Sequence, residues 1–154
     1  MLLFIKLCAI IIILGEVILV EYIQKYYENT KDALPHAMVK KFIKMNIKHK
    51  NAIDLGCGAG RDTIYLIKNG WNVLSIDREN TREIIADKLN NEEIKRFNFK
   101  CLSFENIKLE KSNLLVSNFS IPFCNKNYFN EFWREISNSI LKERIFCWQL
   151  FWIK

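Results

Sequence analysis

One short segment of the chain restricts its fold more than any other. Three of the five glycines in the 154 residues fall within residues 56–60, which read Gly-Cys-Gly-Ala-Gly. The apolar run at 51–55 predicts a strand before them, and 62–69 predicts a helix closed by Gly70. Glycine permits positive φ and lets the backbone approach a ligand closely. The segment therefore predicts a strand-turn-helix unit that binds an anionic or carboxylate group at the start of its helix.

The rest of the chain alternates between helical and strand patterns. We predict helices over 22–45 (interrupted at Pro35), 81–90 and 129–141, and strands over 72–76, 97–102, 114–118 and 145–151. This alternation implies an α/β, Rossmann-like fold: an open, mostly parallel sheet with helices on both faces and right-handed crossovers.

Composition narrows the functional classes. The chain is 50% hydrophobic and carries a net charge of +6, from 23 Lys and Arg against 17 Asp and Glu. The hydrophobic content argues against disorder. The cations are mostly lysines scattered along the chain, and we interpret the dense run at 40–50 as a solvated helix face. No nucleic-acid partner is expected.

Cysteine and histidine positions indicate neither a metal site nor a disulfide framework. The five cysteines form no Cys-x-x-Cys pair, which favours reduced thiols and a cytoplasmic location. Cys57 and Cys124 have no histidine near them in sequence, so we interpret both as buried or inert thiols. His36 and His49 are interpreted as structural or exposed.

Residues 1–20 form a separate hydrophobic block, in which 7–20 is apolar except for Glu16. It lacks the small-residue cleavage site of a signal peptide, and the glutamate is costly in a spanning helix. A membrane anchor, an uncleaved or wrongly started extension, and a buried or amphipathic helix all stay open. Residues 21–154 form the predicted domain.

The spacing of glycines and acids indicates a cofactor class. A dinucleotide turn reads Gly-x-Gly-x-x-Gly, whereas here the third glycine comes one residue early. Asp54 opens the motif, and Asp77 ends the next strand, where an acid binds ribose hydroxyls. This Asp-x-Gly-x-Gly-x-Gly pattern resembles the nucleotide-binding signature of class I S-adenosylmethionine-dependent methyltransferases.

The resemblance continues on both sides of the turn. Residues 54–77, DLGCGAGRDTIYLIKNGWNVLSID, look like the small-molecule methyltransferases that include the tellurite-resistance type, and the similarity runs from about residue 21 to the end. It implies S-adenosylmethionine as cofactor, a small-molecule methyl acceptor, and an N-terminal helical segment that covers the cofactor. A soft sulfur or chalcogen nucleophile fits this chemistry, because it can attack the methyl group without a protein base.

The resemblance also implies roles for matching positions, most of which follow the carboxyl ends of strands. Those around the methionine part of the cofactor are Asp54, Gly56, Cys57, Gly58 and Gly60. Those near the ribose and adenine are Asp77, Arg78, Ser103 and Phe104. Asn118 and Phe119 are expected near the reactive methyl group, and Tyr26 and Tyr27 are expected to close the site. No catalytic residue is assigned.

Several of these residues have a structural role as an alternative to contact with a ligand. Phe104 and Phe119 are equally expected in a hydrophobic core, and Tyr27 against the sheet. For Arg61 and Asp62, a ligand role and an ion pair at the helix start both stay open.

The end of the chain departs from the family pattern. The corner at 141–144 has no glycine, Trp148 and Trp152 stand where small residues are expected, and the family continues with further strands beyond Lys154. The resemblance thus implies a domain incomplete at its C-terminus. Three functions stay open: an active methyltransferase, a non-catalytic cofactor-binding remnant or membrane-tethered binding module, and a sheet that binds NAD or another nucleotide.

Overall fold

A computed structural model of the chain describes residues 21–44, 50–105 and 107–149. The chain divides into two compact units, of which the first ends at Ala33 and the second begins at Leu34. In the first, residues 21–30 form helix α1. The hydrophobic block at 1–20 lies outside the described residues, so its alternatives and the boundary at residue 20 stay predictions. Within the described ranges, no helix has the length and apolar character to cross a membrane.

In the second unit, helices and strands follow one another in the predicted order. The helices are α2 (Ala37–Ile43), α3 (Arg61–Lys68), α4 (Arg82–Ala86) and α5 (Phe129–Ser139). The strands are β1 (Asn51–Leu55), β2 (Asn72–Asp77), β3 (Phe97–Cys101), β4 (Ser112–Asn118) and β5 (Ile140–Gln149).

The strands form one sheet in the order β3-β2-β1-β4-β5, and every neighbouring pair is parallel. This confirms the predicted open parallel sheet. The order runs outward from β1 in one direction and from β4 in the other. The carboxyl ends of β1 and β4 therefore border a crevice at the switch point, where open α/β sheets bind ligands.

Alternate side chains of the central strands pack on opposite faces of the sheet, so each face has its own hydrophobic cluster. Ala52 of β1 packs in a cluster with Leu66 of α3, whereas Ile53 packs in a second cluster with Phe132 and Ile136 of α5. Both clusters are buried, so helices cover both faces, as predicted. Because both faces are covered, the central strands read as nearly continuous apolar runs.

Helix α3 ends at the predicted glycine. Gly70 has φ +82°, its amide donates to the Ile67 carbonyl at 2.9 Å, and the Trp71 amide donates to the Leu66 carbonyl at 3.1 Å. These are the two bonds of a Schellman motif, which needs a left-handed residue after the helix. The turn also directs Trp71 into the core.

Helix α4 is shorter than predicted, ending at Ala86 instead of residue 90. The Asn90 side chain accepts hydrogen bonds from the Glu92 and Glu93 amides, and the Glu93 carboxylate accepts one from the Asn90 amide. This reciprocal cap starts a new turn at Asn90, so helix α4 ends before that residue.

The boundary between α5 and β5 also differs from the prediction. The helix ends at Ser139, and β5 begins at Ile140 instead of residue 145. Ser112 pairs with Ile140 and Leu114 with Ile145, so the predicted connection at 141–144 is a bulge within the strand.

Candidate functional site

The glycine turn joins β1 to α3 at the crevice. Gly56, Gly58 and Gly60 have φ values of +69°, +54° and +79°. All three lie in the left-handed region, which side chains with a Cβ rarely adopt. The turn therefore uses the positive φ that glycine permits.

Two of these glycines are also required by close packing. A Cβ at Gly56 would lie 2.2 Å from Cβ of Ser120, and a Cβ at Gly60 would lie 2.4 Å from Cγ1 of Ile85. Ser120 is fixed in place because its hydroxyl donates to the Leu55 carbonyl at 2.6 Å. The loop after β4 therefore packs directly on the turn.

Asp77, at the end of β2, is hydrogen-bonded to the turn. Its Oδ2 accepts from the Gly58 amide at 2.8 Å, and its Oδ1 accepts from the Glu79 amide at 3.0 Å. The Gly56 amide donates to the Ile76 carbonyl at 2.7 Å, which holds the turn against the same strand. Each carboxylate oxygen keeps a second acceptor site, so this nearly buried acid suits a ligand that offers hydroxyl donors.

Asp54 is turned into the protein interior. Its Oδ2 accepts from the Thr63 hydroxyl at 2.7 Å, and that hydroxyl lies 2.8 Å from the Ser75 hydroxyl. Burial, together with the charges of Asp62 and Asp77, raises the pKa of Asp54 to about 7. Asp54 therefore links β1 to α3 behind the turn, and its predicted contact with a cofactor stays a prediction.

A polar cluster of His36, Asp62 and Asn118 lies beside the turn; we call it the His36 cluster. Asp62 Oδ1 accepts from the His36 amide at 2.9 Å, and Oδ2 lies 2.5 Å from His36 Nδ1. Asn118 Nδ2 donates to the same Oδ2 at 2.8 Å. Burial alone would raise the pKa of Asp62, but the hydrogen bonds from His36 and Asn118 lower it below its ordinary value. The carboxylate is thus held ionised by hydrogen bonds from two residues far apart in the chain, His36 and Asn118.

Arg61 contacts this cluster and not its sequence neighbour's carboxylate. Its guanidinium lies against Nε2 of His36. The expected ion pair between Arg61 and Asp62 is therefore wrong, because both residues bind the same imidazole. A ligand role for either residue stays a prediction.

The end of β4 carries backbone strain next to the cluster. Phe119 has φ +63°, and its ring centroid lies 5.5 Å from that of His36. Among the described residues, Oδ1 of Asn118 is buried and has no hydrogen-bond partner. A strained non-glycine residue and an unsatisfied polar atom are both typical of functional sites.

The three residues expected near adenine occupy different environments. Arg78 is exposed, with its guanidinium 5.8 Å from the centre of the Phe123 ring, and Ser103 is exposed. Phe104 is buried and stacks on Phe132 at 4.7 Å between ring centroids, which agrees with the core alternative. Their contacts with adenine stay predictions.

Tyr26 and Tyr27 belong to the first compact unit, where their rings meet edge to face at 5.7 Å. Their expected role in closing the site stays a prediction.

The thiols of Cys57 and Cys124 are buried, as expected. Burial raises the pKa of both, and nearby carboxylates add to the shift. Neither has the lowered pKa of a reactive cysteine. The expected contact of Cys57 with the cofactor stays a prediction.

His36 is the residue of the cluster that the sequence motif does not indicate, whereas a ligand role for Asp62 is one of the predicted alternatives. Pro35 correctly predicts the break before α2 and places His36 at the helix start. The cluster itself joins residues 26 and 82 positions apart. Only the tertiary fold brings them together, and no local pattern signals such contacts.

Comparison with known proteins agrees with this geometry. The family model described as "Tellurite resistance protein TehB" matches residues 18–141. A Saccharomyces cerevisiae protein named probable S-adenosylmethionine-dependent methyltransferase CRG1 is 26% identical over 106 residues, covering 65% of this chain and 36% of its own length.

Solved structures are similar in fold. TehB from Haemophilus influenzae matches 72% of this chain and 39% of its own, at 23% identity and a TM-score of 0.58. The glycopeptide N-methyltransferase MtfA, complexed with S-adenosyl-L-homocysteine, matches 75% of this chain and 48% of its own, at 13% identity and a TM-score of 0.61. The chain spans about half or less of the length of these relatives. Because the family model covers most of the sequence, the chain belongs to the tellurite resistance protein TehB family.

Proposed function

We propose that this chain binds S-adenosylmethionine and takes part in methyl transfer to a small-molecule acceptor. The observation that carries the proposal is the hydrogen bond between the Gly58 amide and Asp77, which joins the left-handed glycine turn to an acid at the sheet's switch point. The methyltransferase names of the yeast relative and the structural neighbours support it.

The residues present suit this cofactor. Asp77 has free acceptor capacity for two ribose hydroxyls. The half-exposed Gly58 backbone leaves room for the methionine part. We assign Asp54 to support of the turn, because its carboxylate is buried in the interior and accepts from Thr63 of α3.

The cofactor supplies an electrophilic methyl group when it is bound. The protein's contribution is to position the reactants and exclude water. A soft sulfur or chalcogen nucleophile is the acceptor class that we favour, and a cytoplasmic location follows from the reduced-cysteine pattern.

Titration calorimetry with S-adenosylhomocysteine tests the proposal. The wild-type chain is expected to bind it, and Asp77→Ala is expected to weaken binding at least about tenfold, because two charge-assisted hydrogen bonds are lost. Asp87→Ala is the matched control, since Asp87 is an exposed acid after α4. It should bind like wild type.

Two results would change the proposal. No binding by wild type, or equal binding by the Asp77 and Asp87 variants, would contradict it. Binding without methyl transfer to any small acceptor would favour the alternative of a non-catalytic cofactor-binding module.

A further inference from the structure

We propose that His36 accepts a proton from the methyl acceptor, that Asp62 positions its imidazole for this step, and that the acceptor therefore carries a hydrogen on its reacting atom. This inference rests on the proposed methyl transfer and assigns the substrate class of the same site. The observation that carries the inference is the His36 cluster, whose contacts are not needed to form the glycine turn.

The hydrogen bonds define which imidazole nitrogen is free to accept. The Asp62 carboxylate only accepts hydrogen bonds, so His36 Nδ1, 2.5 Å away, must donate to it. The Arg61 guanidinium only donates, so Nε2, which it contacts, must accept. The contacts with Asp62 and Arg61 favour the tautomer with a proton on Nδ1 and a lone pair on Nε2. Asn118 Nδ2 also lies 3.0 Å from Nδ1, but it donates to Asp62 Oδ2 at 2.8 Å, so the Nδ1 proton is directed to the nearer, charged carboxylate.

Asp62 is well placed to keep the imidazole in this orientation. Its side chain is 5% exposed, and it also accepts hydrogen bonds from the His36 amide and from Asn118 Nδ2. One carboxylate thus binds both the imidazole and the backbone amide of His36. A buried acid that holds a histidine tautomer is the arrangement used when a histidine acts as a general base.

The cluster lies at the crevice. Asp62 belongs to the first turn of α3, directly after the glycine turn, and Asn118 is the last residue of β4. The strained Phe119 packs against the imidazole ring. Arg61 is half-buried at the helix start. The proposed step requires the bound acceptor to replace its guanidinium as the donor to Nε2.

The step balances without a further reactant. The hydrogen on the acceptor atom goes to Nε2, and the electron pair left on that atom forms the new bond to the methyl carbon. The electron pair of the broken sulfur–methyl bond stays on sulfur, which becomes a neutral thioether. The protonated imidazole is stabilised by Asp62 and later returns its proton to water.

Two thiol acceptors separate proton removal from methyl transfer. An alkyl thiol is mostly protonated at pH 7, whereas a nitro-substituted aromatic thiol is already ionised and needs no base. For His36→Gln, we expect the rate with the alkyl thiol to fall roughly 100-fold or more. The rate with the aromatic thiol should change by less than about threefold, and S-adenosylhomocysteine should bind as in wild type.

Equal losses with both thiols, or no loss with either, would overturn the inference. So would a wild-type chain that binds S-adenosylhomocysteine yet methylates no thiol. Cofactor binding, and with it that part of the proposed function, would then stand on its own.

A spectroscopic test needs no turnover. The imidazole nitrogen shifts of His36 in the ¹⁵N-labelled chain are expected to report a protonated Nδ1 and an unprotonated Nε2, and Asp62→Asn should move the population toward the other tautomer. The His49→Gln variant leaves one histidine and so assigns the signals. A wild-type Nε2–H tautomer would contradict the inference, whatever the folding of the Asp62 variant.

Discussion

The amide nitrogen of Gly58 lies 2.8 Å from Oδ2 of Asp77, so the backbone of the glycine turn donates directly to the acid at the end of the neighbouring strand. The turn and the acid are therefore one unit, and the conformation of the turn determines where the acid's remaining acceptor sites point. Substitutions that distort the turn are expected to affect both stability and ligand binding.

Gly56→Ala is expected to lower the free energy of unfolding by roughly 2–5 kcal/mol, because it adds left-handed strain to a clash with Ser120. Gly70→Ala is the matched control: its φ is also positive, but the nearest atom to a new Cβ is Nζ of the flexible Lys50, at 3.9 Å. It should cost only about 1–2 kcal/mol. Urea unfolding measures both values, and equal losses would mean that the contact with Ser120 relaxes.

The buried Asp54 is expected to make stability fall as pH rises from about 4 to about 7. Its pKa is raised from the ordinary 3.8 to about 7, chiefly by burial. In this window the folded chain keeps a proton that the unfolded chain releases, so raising the pH favours unfolding by up to about 1.4 kcal/mol per pH unit. In Asp54→Asn this contribution is removed. Urea unfolding across the window should give a flatter pH dependence for the variant, and identical slopes would refute the prediction.

Asp62 is expected to act in the opposite direction at lower pH. Although burial raises its pKa, hydrogen bonds from His36 and Asn118 bring the pKa below 3.8, so its stabilising contribution is present above that pH and is lost as the pH falls further. His36→Ala should raise the pKa of Asp62, because burial remains and two donors are weakened or lost. Carboxyl ¹³C NMR measures this shift. Lys95→Ala, at an exposed ion pair with Glu92, should leave the Asp62 pKa unchanged.

Two phenylalanines of α5 are expected to differ in their contribution to stability. Phe132 is 2% exposed and stacks on Phe104, whereas Phe129 is 37% exposed. Phe132→Ala should cost about 3–5 kcal/mol through lost burial and the cavity left behind. Phe129→Ala should cost about 1 kcal/mol or less. Comparable losses in denaturant unfolding would show that α5 packs through a different face.

Much of the second unit was predictable from local pattern. Apolar runs mark the strands because both faces of the sheet are covered, and alternation of strands with helices implies parallel pairing. The glycines between Asp54 and Gly60 indicate a left-handed backbone in the turn, since glycine is favoured where φ is positive. The α5–β5 boundary was not predictable, because the bulge at 141–144 depends on pairing with β4.

The sequence by itself therefore determined the fold class, the glycine turn and the acid that ends β2. It did so because backbone conformation and burial follow from neighbouring residues. Only the tertiary structure decided that Asp54 faces Thr63, that Phe104 stacks in the core, and that His36, Asp62 and Asn118 form one cluster. Side chains so far apart in the chain meet only when strand order and helix packing bring them together, and no local spacing encodes that meeting.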